Sequence, residues 1–229
     1  MNRTHDGKNY GISQYARPKS FELAGKTLRF EDAAGNKFEF EFLDKHTLNF
    51  TADEKAELSQ YEAVKLTADV FFVSFGIKFK AAVIDVSAGL AAVSGAAGEY
   101  IFLREENSVA EFYDYTDEMT GTYVRWVFGC DRFLLNEYLE DGKCSCVWSP
   151  RTERKRIIKA SYIHIKDGIY LVELNGTSPF YTDIPQGMSR MVLLQNYDQM
   201  TFVGCLNSPV TNESLTVGGY GLAPETGNI

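Results

Sequence analysis

The sequence predicts an all-β chain of two tandem, sequence-related antiparallel β-barrels with short helices. Three observations carry that prediction. First, the apolar pattern repeats: residues 162–174 (YIHIKDGIYLVEL) lie without a gap on 63–75 (AVKLTADVFFVSF), 99 residues earlier. Residues 191–205 (MVLLQNYDQMTFVGC) likewise lie on 81–95 (AAVIDVSAGLAAVSG), 110 residues earlier. Second, the chain carries 13 Tyr, 16 Phe and 2 Trp, residue types that suit pleated, half-buried surfaces. Third, short alternating segments follow one another through tight turns, the spacing of a sandwich or barrel. Consecutive hairpins without crossovers favour up-and-down closure, which removes exposed sheet edges. In 229 residues there is room for two units of about 100 residues, each just able to hold a core. One larger barrel built from two half-units is the alternative.

Residues 1–19 show no periodicity and read as an N-terminal arm. The first barrel spans 20–118 and the second 119–229, the latter with a C-terminal tail that includes the glycines of Gly218-Gly219-Tyr220-Gly221. In the first unit, residues 27–31 lead through the turn residues of 32–36 into 37–43, where Phe38, Phe40 and Phe42 alternate with Glu39 and Glu41. Period two with phenylalanine on one side describes a strand with one buried and one wet face. Residues 52–60 (ADEKAELSQ) are good helix formers and predict a short helix. Hairpins follow at 63–75 and 79–94. In the second unit 121–126 lies over 25–30, so Arg125 matches Arg29. Strands at 133–139 and 143–148 follow, then a second helix position at 149–159. Residues 178–190 interrupt the repeated hairpins with a longer loop, and loops of that length often border a site.

Composition narrows the function classes. A net charge of −8 argues against nucleic acid, whose affinity comes mainly from neutralising phosphates; the basic cluster 151–156 reads as a solvated loop. No apolar run reaches the roughly 20 residues of a membrane helix, and residues 1–20 lack the apolar core of a signal peptide. A cytoplasmic location with reduced thiols is therefore the expectation. Of the four cysteines, Cys144 and Cys146 share a strand face, but their spacing is tighter than zinc sites use and no second Cys/His pair accompanies them. No metal and no cofactor is expected.

The turn and strand at 23–28 (LAGKTL), the Phe/Glu strand, residues 61–75, and above all 167–172 (DGIYLV) with 191–204 resemble the molybdenum cofactor biosynthesis protein F (MoaF) family. The resemblance covers most of residues 20–209. It implies lipocalin-like (calycin) barrels with a cup-shaped ligand cavity, and an association with molybdenum cofactor biosynthesis. A more distant similarity is to the phenolic acid decarboxylases, single calycin barrels that act without a cofactor. Their arginine position falls at Arg156. Their paired tyrosine positions fall on Arg125 and Val127, or on Arg29 and Glu31 in the first unit, and their glutamate near Gly176, with Glu173 on the same strand. One of those four positions matches.

A barrel interior that handles a polar ligand needs a few polar side chains among aromatics. Arg125, beside Trp126, offers a guanidinium for a carboxylate, and Arg29 offers the same in the first unit. His164, facing with Tyr162, has the chemistry of an acid or base near neutral pH. Glu173 interrupts the apolar run 169–174, and an inward carboxyl there would have a raised pKa. The catalytic candidates are thus His164, Glu173 and Arg156; the ligand-binding candidates are Arg125, Trp126, Tyr162, Arg29 and Trp148. These residues predict a small-molecule-binding calycin protein acting on an aromatic or carboxylated metabolite, as a cofactor-free lyase or isomerase in a biosynthetic pathway. The alternative is a non-catalytic carrier of the MoaF-like type. The expected partner is that small molecule, with neither nucleic acid nor membrane; a homodimer is left open.

Overall fold

A computed structural model of the chain describes residues 14–76, 80–94, 99–148, 155–176, 187–208 and 214–222. The first barrel consists of β1 (Thr27–Glu31), β2 (Lys37–Phe42), β3 (Thr47–Ala52), β4 (Lys55–Lys65), β5 (Val70–Phe75), β6 (Lys80–Asp85), β7 (Leu90–Ser94) and β8 (Tyr100–Glu105). Each strand pairs antiparallel with the next, and β1 pairs with β8 to close the ring. After β9 (Asp114–Tyr115) come β10 (Tyr123–Gly129), β11 (Arg132–Leu139), β12 (Lys143–Trp148), β13 (Arg156–Lys166), β14 (Ile169–Asn175), β15 (Arg190–Asn196), β16 (Thr201–Asn207) and β17 (Ser214–Leu222). They repeat the same order, closed where β10 meets β17. Pro18–Asp114 form one compact unit; Tyr115–Ile229, joined by the described residues 14–17, form the other.

The two antiparallel barrels are as the sequence predicts, but the short helices are absent among the described residues. Nor, therefore, is there among them a helix long and apolar enough to cross a membrane. Residues 52–60 are strand for a local reason. Asp53 and Glu54 both take positive φ, 49° and 64°, which makes the two-residue type I′ turn that matches strand twist. Ala52 thus faces Lys55, and Lys55–Gln60 run back along β3. Tertiary pairing overrides helix propensity here. The counterpart at 149–159 enters β13 at Arg156; residues 149–154, with most of the basic cluster, and 178–186 of the long loop lie outside the described residues.

The glycines expected in a tail belong instead to β17, the strand that closes the second barrel. A Cβ on Gly219 would sit 1.9 Å from the Val127 carbonyl oxygen, and one on Gly221 would sit 2.6 Å from the Trp126 ring. Glycine at these positions lets the β17 backbone lie against β10 beneath a full indole.

The ladders also correct the repeat. Tyr61 faces Phe75 and Ala160 faces Leu174, so the 99-residue offset holds through β4–β5 and β13–β14. Beyond that, Val70 faces Asp85 while Ile169 faces Asn196. Asp85 therefore corresponds to Asn196, 111 residues on rather than 110. The turns agree: Asp85 Oδ1 accepts from the Ala88 N–H at 3.1 Å, and Asn196 Oδ1 from the Gln199 N–H at 2.9 Å. A slip of one residue exchanges inside for outside along a strand, and here it decides which side chains share the interior.

Candidate functional site

With the register fixed, the two interiors can be matched position by position. The first is filled by apolar side chains, among them Phe30, Phe38, Phe40, Phe42, Leu48, Phe50, Val73, Phe75, Ala82 and Ile84. Phe40 alone has ring contacts with Phe30, Phe42, Phe50 and Phe75 at centroid distances of 4.8–6.3 Å. In the second barrel the same positions read Trp126 for Phe30, Asn136 for Phe40, Tyr138 for Phe42, Cys144 for Leu48, Cys146 for Phe50 and Gln195 for Ile84. All six are buried. An aromatic core has become a polar one.

These polar groups form one network. The Trp126 indole N–H donates to the Tyr138 hydroxyl oxygen at 3.2 Å, and the Asn136 amide Nδ2 lies 3.4 Å from that oxygen. With both lone pairs engaged, Tyr138 donates its own proton, and Gln195 Oε1 accepts it at 2.9 Å. Tyr197 donates to the same oxygen at 3.1 Å. The Cys146 thiol lies 3.3 Å from Asn136 Oδ1 and 3.5 Å from the Cys144 sulfur. The indole can only donate, so this arrangement starts from one lone pair of the Tyr138 oxygen filled by Trp126. It leaves the two Gln195 Nε2 protons over, and Nε2, on a residue of zero exposure, has no partner among the described residues. An unmet buried donor of this kind is rare.

Burial keeps the network neutral. It pushes the Tyr138 hydroxyl up to about 12 and also raises Tyr197 and Tyr162. The Cys144 thiol is raised by its hydrogen bond with Cys146 and by burial. These groups offer fixed dipoles rather than charge. Around them stand rings: Trp126 meets Tyr197 at 5.5 Å and Phe202 at 5.3 Å, both edge-on, and Phe128 meets Phe202 at 4.9 Å and Trp148 at 5.6 Å. Met119, on the turn before β10, is buried against this core, as Leu23 is before β1.

Of the residues singled out from the sequence, Trp126, Tyr162 and Trp148 lie in this interior. Tyr162 stands edge-on to Tyr138 at 5.3 Å and donates to the Lys143 carbonyl. His164 is at the end of the barrel capped by the turn that carries Glu118 and Met119, 38% exposed, stacked at 5.2 Å on Tyr170, with Nδ1 3.7 Å from Glu118 Oε2. Tyr170 donates to that same carboxylate at 3.1 Å. The arrangement has a counterpart in the first barrel, where Lys65 Nζ lies 2.6 Å from Glu22 and 5.5 Å from the Phe71 centroid.

The other four lie outside the interior. Glu173 falls between the inward Val172 and Leu174, so its carboxylate faces away from the barrel axis. It is fully buried there and held by Arg190 through two contacts of 2.9 Å, with Asn175 Nδ2 at 3.0 Å. Arg125 is exposed, its guanidinium 4.7 Å over the Phe133 ring. Arg29 is exposed and pairs with Glu39 at 2.6 Å. Arg156 is the exposed first residue of β13. Asn136, Tyr138, Gln195 and Tyr197 were not singled out from the sequence. A signal for the first two existed: Asn136 and Tyr138 alternate with Leu135 and Glu137 in the register of a buried face.

Residues 4–100 match the MoaF N-terminal domain. The match falls on the first barrel and bears out the family resemblance over that range. No curated protein matches the chain. Together the MoaF domain and the paired barrels support a calycin-like small-molecule-binding protein.

Proposed function

We propose that the protein is a non-catalytic small-molecule carrier whose ligand binds inside the second barrel, in keeping with the MoaF association. The observation that carries this reading is the contrast between matched interiors. At six equivalent positions the first barrel is closed by apolar groups, whereas the second presents a connected, uncharged set of donors and acceptors. Polar side chains cost stability when buried unless every group is met, so their placement among rings fits recognition of a ligand that is itself mostly apolar. The raised tyrosines and the raised Cys144 thiol hold their protons at neutral pH, which suits orientation of a ligand better than proton transfer.

The test is capture. The full chain is purified and denatured, and the released small molecules are identified by mass spectrometry. The same is done for the double variant Asn136→Phe/Gln195→Ile, which copies the first interior. A molecule present with the wild type and absent from the variant is the expected result; equal recovery from both contradicts the reading.

A cofactor-free lyase or isomerase is the second reading, favoured by one observation: His164, Glu118 and Tyr170 converge at the end of the same barrel. It differs in consequence. A carrier returns its captured molecule unchanged, whereas an enzyme converts it with time, and His164→Gln would stop the conversion.

A further inference from the structure

Gln195 says more than that something binds. Its oxygen accepts from two tyrosines, at 2.9 Å from Tyr138 and 3.1 Å from Tyr197. Its nitrogen, equally buried, donates to no described residue. The equivalent position in the first barrel is Ile84, which needs no partner. Holding an unmet amide N–H₂ inside a barrel costs stability, a cost that a ligand acceptor removes on binding. At Gln195 the interior thus has donors to spare and no acceptor among the described residues to meet them.

Charge decides which acceptor. A carboxylate or phosphate oxygen would bring a negative charge into the barrel, and a buried charge is tolerated only when paired. Among the described arginines of this unit, Arg125 and Arg156 are exposed, Arg190 is committed to Glu173, Arg132 stands at the first position of β11 beside Asp131, and Arg17 donates to Thr201. Both tyrosine protons are already engaged by Gln195. What remains is a neutral oxygen with its lone pairs in a plane. The rings of Trp126, Tyr197 and Phe202, set edge to face, suit a flat partner.

Resting on the binding reading above, we propose that the ligand of the second barrel is a neutral, planar aromatic compound with a ring carbonyl (a lactam, pyridone or quinone oxygen) that accepts from Gln195 Nε2. This excludes the carboxylated metabolites that the exposed arginines suggested. It also assigns Gln195 as the residue that sets ligand class.

Three bicyclic probes of one size separate the possibilities: 2-quinolone, a neutral lactam; 2-naphthoate, an anion; and naphthalene, with no acceptor. Affinity for the full-length protein is measured by saturation-transfer NMR and calorimetry. The expected order is 2-quinolone first, by about tenfold over naphthalene, the worth of one hydrogen bond to a buried donor. In Gln195→Met that advantage disappears while naphthalene stays within about threefold. Gln195→Ile, which copies Ile84, serves as a second variant, and the near-ultraviolet circular dichroism of both checks the fold. The wild-type ranking stands as a test even where a variant does not fold. If 2-naphthoate outranks 2-quinolone, or if 2-quinolone binds Gln195→Met undiminished, the assignment of ligand class is overturned while the binding reading survives. If none of the three probes binds the wild type, both are overturned.

Discussion

The two barrels share strand order, register and turn geometry, yet one is lined by phenylalanine and the other by a hydrogen-bonded network. The lesson lies in how the substitutions compensate. Phe30 becomes the larger Trp126, and Leu103, which shares its ladder position with Gly219, gives way to a residue without a side chain. The aromatic on the fourth strand moves by two residues, from Tyr61, which donates to the Asp44 carbonyl in the turn before β3, to Tyr162, which donates to the Lys143 carbonyl at the start of β12, with Ala160 and Ala63 in the vacated places. Cores tolerate such exchanges when volume is kept. Polarity is another matter: Asn136 and Gln195 stand together with Tyr138 and Tyr197, which bond to them.

If the network stabilises only as a set, moving one member into the other barrel is the harshest way to break the comparison. Phe40→Asn in the first barrel removes a ring that touches four others and leaves an amide among apolar side chains. Truncating a buried phenylalanine costs about 3–5 kcal/mol, and the unmet amide adds to that. A loss of at least about 4 kcal/mol, or roughly 20 °C in a unit of this size, is expected by calorimetry. Both tryptophans, Trp126 and Trp148, belong to the second barrel, so the midpoint followed by tryptophan emission should stay nearer the wild-type value.

Next in size is Gly219→Leu, which gives the second barrel the leucine of the first. The first atom of that side chain meets backbone, at 1.9 Å from the Val127 oxygen, so β17 must move. Overpacking of this sort costs about 1–3 kcal/mol and more when backbone is involved. Here tryptophan emission should report the loss, and a wild-type midpoint would mean that the seam between β10 and β17 is not held as described.

Much of this architecture was legible in the sequence. Alternation placed β2, and turn residues placed the hairpins, because strands with one wet face carry a period of two. The register of β15 was not legible. Met191–Leu194 and Ala81–Ile84 are apolar at every position and buried on both faces, so nothing in the pattern distinguishes a match at 110 from one at 111. That single residue hid Gln195 opposite Ile84. Glu173 was misleading for the same reason. A carboxylate in an apolar run reads as inward-facing and reactive, whereas its partner Arg190 lies across the β14–β15 pairing, beyond the reach of local pattern. The charges that drew attention, Arg125, Arg29 and Arg156, are on the surface; the site we propose is made of neutral residues that composition does not flag.

A gentler probe of the same contrast is alkali. Burial raises the Tyr138 hydroxyl from 10.0 to about 12, and Tyr197 and Tyr162 are raised too. A group whose pKa is higher in the folded state releases its proton more readily when unfolded. Its contribution is whole below pH 10 and is lost as pH rises from there towards about 12. The second barrel should therefore lose stability in that window, seen as a falling urea midpoint by tryptophan emission. Tyr138→Phe, which copies Phe42, should flatten the fall, at the cost of lower stability at neutral pH from the donors left unmet.

The smallest effect is expected where the barrels differ most conspicuously to a reader looking for catalysis. His164 and Lys65 occupy one position, each beside a glutamate on the capping turn and each over a ring, Tyr170 or Phe71. His164 is 38% exposed and Glu118 is 55% exposed, so water screens the pair, and exposed ion pairs contribute about 0–1 kcal/mol. His164→Lys rebuilds the arrangement of the first barrel and should shift the urea midpoint by no more than about 0.5 kcal/mol equivalent. Ligand capture by the second barrel should be unchanged, since the network of Trp126, Asn136, Tyr138 and Gln195 does not include this residue. Loss of capture in His164→Lys with stability intact would move the functional centre from the neutral interior to the capped end, and with it the balance from carrier to enzyme.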